Sequence, residues 1–146
     1  MIIPVTQQEL MQAATIHSES WIQSHRNVCS AQFLAQHTPQ RQSRYLQSLM
    51  DQGAQLYMLV DAKPVGIVSV QGSRIGDLYV LPGEQNKGYG RQLLAFAMEK
   101  CAQTPVLWVL STNEKAKRFY QRNGFRPTGN TVEHTGGVYE MELCHD

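Results

Sequence analysis

The sequence is poor in cysteine, in unbalanced charge and in long apolar runs, and each shortage excludes a class of protein. Its three cysteines, Cys29, Cys101 and Cys144, are odd in number and form no C-x-x-C pair, which argues against a disulfide framework or a zinc cluster. They read as reduced thiols. Thirteen Lys and Arg stand against 12 Asp and Glu, so no polycationic surface is expected to grip nucleic acid through its phosphates. No apolar stretch approaches the roughly 18 residues of a membrane span. The opening "MIIPVTQQEL" has no basic region followed by a long apolar core, so a secretory signal is not expected and a cytoplasmic location is. No two histidines have metal-ligand spacing supported by a third ligand, and no metal is expected. Repeats and low-complexity linkers are absent too. With 146 residues, 42% of them apolar, the chain has room for one full core, and we read a single domain over residues 1–146.

Periodicity supplies the elements. A short extended start, "IIPV", leads to Thr6 and Glu9 at capping-box spacing, which opens a helix. Leu10, Ala13, Ala14, His17 and Trp21 mark one face of it. A second helical region runs from Ser30 to about Met50, interrupted near Pro39, with Tyr45, Leu46, Leu49 and Met50 inward. The period then changes. "QLYMLV", "VGIVSV" and "IGDLYV" are separated by "DAKP" and "QGSR", the short links of an antiparallel meander. An apolar helix face follows in Leu93, Leu94, Ala97, Met98 and Cys101. Next come the strand "VLWVL", a helix opened by Ser111 and Glu114 and stopped at Asn123-Gly124, and a terminal pair of strands flanking "TGG". The order β-α-α-β-β-β-α-β-α-β-β is an α/β fold with a mixed sheet, because a helical crossover makes the strand ending at Val80 parallel to the one at Val106–Leu110.

One stretch is unusual for a helix start: "EQNKGYGRQLL", from Glu84 to Leu94. Glycines there cost roughly 0.5 to 1 kcal/mol each against alanine, so the backbone itself is in use. Free N–H groups at a helix N-terminus converge on an anion, and phosphate is the natural guest. Gly83 and Gly88 have Walker-loop spacing, yet Tyr89 and Gly90 follow where Lys and Ser or Thr are required. A dinucleotide fingerprint fails at Leu93, which stands in place of the third glycine.

Gln85, Asn86, Lys87, Gly88, Tyr89 and Gly90 form a Q-x-x-G-x-G run after "DLYVLP" that resembles the GCN5-related N-acetyltransferase (GNAT) family. Asn113, Ala116, Phe119, Tyr120 and Gly124-Phe125 are similar to that family's second signature, and both stand on the corresponding elements in order. The resemblance implies a GNAT-like fold and acetyl-coenzyme A as cosubstrate. It implies that Gln85 through Arg91 hold the pyrophosphate, with charge from Lys87 and Arg91. Leu78, Tyr79 and Val80 would face the pantetheine with their backbone, a free N–H near Val80 meeting the thioester carbonyl. Asn113 would bond the pantetheine, with Ala116 and Phe119 beside it, and Tyr120 would be the general acid that protonates the departing thiolate. By spacing alone Tyr120 is equally a core aromatic.

The base is less determined. Some relatives carry a glutamate where Trp108 stands. Asp77, Glu84, Glu133 and His134 remain, and Asp77 is the choice because it lies on the strand nearest the thioester. Trp21, His25 and Arg26, with Glu133 and His134, are candidates to line an amine site, while Trp21 reads equally as core and His25 and Arg26 as solvated. His17 reads as a helix-face residue, and His37 and His145 carry no partner pattern. The expected function is acetyl transfer to a primary amine by direct attack in a ternary complex, with no covalent cysteine intermediate. A non-catalytic acyl-coenzyme A sensor and a protein or peptide N-acetyltransferase are the alternatives. Monomer and homodimer stay open; no nucleic-acid or membrane partner is expected.

Overall fold

A computed structural model describes the backbone of residues 1–146 and every side chain except that of Thr135. Strand β1 (Ile2–Pro4) is followed by helices α1 (Leu10–His25), α2 (Ala31–Ala35) and α3 (Pro39–Asp51). A meander of β2 (Gln55–Asp61), β3 (Lys63–Gln71) and β4 (Arg74–Val80) comes next. Helix α4 (Tyr89–Lys100), β5 (Val106–Leu110), α5 (Glu114–Arg122), β6 (Phe125–Glu133), a 3-10 turn (Thr135–Gly137) and β7 (Tyr139–His145) complete the chain. The α/β class and the element order are those expected, with the second helical region split in two.

Proline and the caps explain that split. Ser30 caps α2 by accepting the Phe33 N–H at 3.2 Å, and Thr38 caps α3 by accepting that of Arg41 at 3.2 Å, with Pro39 in the first turn. Pro at that position starts a helix rather than kinking one, since its missing N–H has no partner to lose. Two cap expectations shift. Thr6 and Glu9 do bond, but one turn precedes α1, which begins at Leu10. On α5 the cap is Asn113, whose Oδ1 accepts from Ala116 N at 3.1 Å, while Ser111 accepts the N–H of Tyr139. Tyr45 is also not inward: it is 42% exposed, and α3 buries Gln42 and Leu46 instead. A phenol at the helix rim keeps its polar tip available.

The seven strands lie in the order β1-β2-β3-β4-β5-β7-β6, antiparallel except for the β4–β5 pair. Helices α1 and α3 cover one face through Ala13, Ala14, Ile16, Leu46, Met58 and Ile67. Helix α4 covers the other through Leu93, Leu94 and Ala97 against Val65, Val68 and Leu107, with Ala116, Phe119 and Tyr120 of α5 packed beside them. No helix among the described residues is long and apolar enough to cross a membrane.

Candidate functional site

Strands β4 and β5 share a single register pair, Arg74 with Val106, at their N-terminal ends. Beyond it they part, and a cleft of about 500 Å³ opens that both strands line. Leu81 N–H donates to Val65 C=O on β3 at 2.8 Å. Strand alternation therefore turns the N–H of the preceding residue, Val80, away from β3 toward the gap. Ser20 Oγ and Gln85 Nε2 donate to the Val80 carbonyl at 3.2 and 3.0 Å, which holds this strand end in place.

A bulge decides which way β4 aims its polar residue. Tyr79 pairs with Ile67 and Gly76 with Ser69, so Asp77 and Leu78 together face Val68, and Asp77 has φ +49°. The extra residue resets the alternation. It puts Asp77 on the face of α1 and α3, where Oδ1 meets His17 Nε2 at 2.9 Å and accepts from Tyr45 OH at 3.1 Å; Ser69 Oγ donates to Oδ2 at 3.1 Å. Gln42 Nε2 lies 2.8 Å from His17 Nδ1. The imidazole is thus held between Gln42 on Nδ1 and Asp77 on Nε2. The Tyr79 ring stands edge-on to His17 at 4.9 Å between centroids. Burial, and secondarily the charge of Asp77, pushes the phenols of Tyr45 and Tyr79 well above their ordinary range.

Tyr120 lies across the cleft from this cluster. Its ring packs edge to face on Phe119 and Phe125, at 5.3 and 5.8 Å, and its hydroxyl finds no hydrogen-bond partner among the described residues. Burial first, then Asp77, raises its pKa far above that of a free phenol, so it keeps its proton. Asn113 and Ala116 line the cleft about two turns and one turn before it. With Oδ1 committed to capping α5, Asn113 offers only its Nδ2 to a ligand.

The glycine-rich loop follows the parted end of β4 and leads into α4; its residues, like Val80 and Phe119, are not among those lining the 500 Å³ cleft. Gly83, Asn86 and Gly88 have φ of +90°, +64° and +88°, conformations that glycine and asparagine tolerate best. They turn the chain into α4 so that the N–H groups of Gly88, Tyr89, Gly90 and Arg91 find no acceptor among the described residues. A Cβ on Gly90 would lie 3.4 Å from the Phe119 ring, so glycine lets the helix start sit tight against α5. Side chains of this loop are largely occupied. Gln85 donates to Gln23 Oε1 and Val80 C=O and accepts from Lys115; Lys87 pairs with Glu84 at 3.1 Å; Tyr89 OH donates to Asp61. Its backbone amides and the exposed side chains of Asn86 and Arg91 remain to meet a ligand.

Other expected residues are distributed unevenly. Trp21 and His25 line the cleft, with Trp21 stacked between His25 and His37 at 3.9 and 3.6 Å. Burial lowers the pKa of both imidazoles. Arg26, Glu84, Glu133 and His134 do not line it, and Glu84 is held by Lys87 in the loop. Trp108 does line it, and the hairpin carboxylate there is Glu140, not Glu133, with His134 Nε2 at 3.2 Å. His17, Gln42, Tyr45 and Ser69 are the residues sequence reasoning missed. The i, i+3 spacing of Gln42 and Tyr45 on one helix was the available signal. No group of three potential metal ligands occurs among the described residues.

The sequence matches the profile of the Acetyltransferase (GNAT) domain family over residues 6–143. No curated protein matches it. The PaiA N-acetyltransferase of Thermoplasma acidophilum, solved in complex with coenzyme A, is 18% identical, with a TM-score of 0.72 over 97% of this chain and 96% of that one. YjaB of Escherichia coli, in its apo form, is 23% identical, with a TM-score of 0.69 over 99% and 96%. YncA of Salmonella typhimurium, solved with acetyl-CoA, is 15% identical, with a TM-score of 0.69 over 99% and 91%. At such identities the structures speak for the fold. The family profile spans nearly the whole chain, including the loop, the splayed strands and the Asn113–Tyr120 turns, and the chain therefore belongs to the GNAT acetyltransferase family.

Proposed function

We propose that the protein transfers an acetyl group from acetyl-coenzyme A to a primary amine while both are bound. The observation that carries this reading is the parting of β4 and β5, with a glycine-rich loop of unpaired N–H groups following the parted end of β4. A linear pantetheine-like arm fits such a gap as a strand would, and the residues present suit the group. The N–H groups of Gly88 to Arg91 and the guanidinium of Arg91 would hold the pyrophosphate. Val80 N–H would donate to the thioester carbonyl, and Asn113 would donate its amide hydrogens to the pantetheine.

Acetyl-coenzyme A supplies an activated acyl group with a thiolate leaving group. The chain's own residues bind, orient and move protons. Asp77, set opposite Tyr120, would draw the acceptor's ammonium into the cleft and relieve it of a proton. Tyr120, whose phenol stays protonated, would neutralise the leaving sulfur as the general acid. Holding both reactants in one cleft makes the step effectively unimolecular.

A thermal shift with acetyl-coenzyme A, coenzyme A and ATP is the test. Stabilisation by both coenzyme A forms and not by ATP, followed by thiol release with an amine, is expected. No shift at saturating coenzyme A would sink the reading. Trp108 at the glutamate position of some relatives favours a second reading, an acyl-coenzyme A sensor. Binding without thiol release on any amine or peptide would select it.

A further inference from the structure

Asp77 has no Lys or Arg partner among the described residues. Its carboxylate, with 14% of its side chain exposed, accepts from Tyr45 and Ser69 and lies 2.9 Å from His17 Nε2. Tyr45 and Ser69 are neutral donors, and His17 is held from its other side by Gln42. A largely covered carboxylate with no Lys or Arg partner and an edge open to the cleft is set to receive a cation.

Two cations stand in the same cleft without a partner. Arg41 lies one helical turn before Tyr45 on α3, and Arg74 lies on β4 on the same sheet face as Gly76 and Asp77, since it pairs with Gln71 as Gly76 pairs with Ser69. Neither guanidinium forms an ion pair with Asp77 or with any other carboxylate among the described residues. Had the site evolved around a plain hydrophobic or polycationic amine, two arginines in its lining would repel or leave that acceptor unrecognised. Asp77 and two guanidiniums line one cleft of about 500 Å³, whose other carboxylate, Glu140, lies 3.2 Å from His134, and together they complement a small dipolar molecule.

We infer that the acceptor is a small amine carrying its own acidic group, a carboxylate or phosphate, with the ammonium bound at Asp77 and the acid bound by Arg41 and Arg74. This rests on the acetyltransferase reading and adds the class of acceptor to it. The acid-binding end gives bidentate recognition, which a guanidinium provides and an ammonium does not.

The test compares matched acceptors: β-alanine against propylamine, and α-amino acids against their carboxamides, read as thiol release from acetyl-coenzyme A. Acid-bearing members are expected to show at least a 10-fold higher kcat/KM. Arg41→Gln and Arg74→Gln should each raise KM for those acceptors about 10-fold, because each removes one charged partner of the acid. Both residues are exposed, so unchanged Tm values will certify that the variants fold. A thermal shift with acetyl-coenzyme A alongside equal or better turnover of the acid-free amines overturns this inference and leaves the acetyltransferase reading standing. A shift with no turnover of any acid-bearing amine overturns it as well. Absence of the shift itself removes the acetyltransferase reading beneath it.

Discussion

Tyr120 holds its ring against Phe119 and Phe125 and its hydroxyl in the cleft, so its packing and its proton are separable by mutation. Tyr120→Phe keeps the packing and removes the proton. It is expected to lower kcat by about 10²-fold or more, as for loss of a positioned general acid, while the thermal shift with acetyl-coenzyme A stays as in the wild type. The stacked imidazoles make a second prediction. Burial lowers the pKa of His25 and His37 from an ordinary 6.5. Below about pH 6.5 the unfolded chain therefore binds protons that the folded chain refuses, and stability must fall as the solution is acidified from pH 7 to 5. His37→Gln should flatten that part of the Tm–pH curve; an unaltered slope would place the acid sensitivity elsewhere. The sequence displayed Tyr120 and Asn113 because they sit in one contiguous pattern. It hid His17, Gln42 and Tyr45 because their meeting with Asp77 joins two helices and a strand, and because a left-handed backbone at an aspartate leaves no mark on alternation.

Individual elements answer to caps and to close approaches. Asn113→Ala removes the α5 cap and should cost about 1 kcal/mol by denaturant unfolding. Asn113→Ser restores a cap oxygen without the amide, so it should recover that stability while leaving weakened coenzyme A binding. Gly66 on β3 has a different constraint. A Cβ there would meet Leu93 Cδ1 at 2.7 Å and the Tyr79 carbonyl at 3.0 Å. The leucine can turn aside but the carbonyl is backbone, so Gly66→Ala should destabilise by about 1–3 kcal/mol and loosen β4 where it borders the cleft. Helices and strands were legible from period and punctuation. Their boundaries were less so: Ser111, three residues ahead of Glu114, carries the cap pattern, yet the cap is Asn113, and Ser111 accepts the N–H of Tyr139 instead.

For the whole molecule the sequence specified more than for any site. The parallel β4–β5 pair followed from the α4 crossover, and the meander from two short turns. Insertion of β7 between β5 and β6 had no local signal, since a terminal hairpin docks equally well by either strand on pattern alone. Ligand binding acts at this scale too. At 100 times its dissociation constant acetyl-coenzyme A should stabilise the fold by about 2.7 kcal/mol, a rise of several degrees in Tm for a chain of this size. The single Arg74–Val106 pair between β4 and β5 also means that the sheet is a mechanical seam. On one side β1–β4 are laced to α1, α3 and α4; on the other, β5, β7 and β6 are laced to each other and to α5. The β5-β7-β6 block, tied to the rest through Leu107 and Val109 in the core under α4, is expected to exchange its amide hydrogens sooner than the larger block, and a molecule lying along the seam would stitch the two into one cooperative unit.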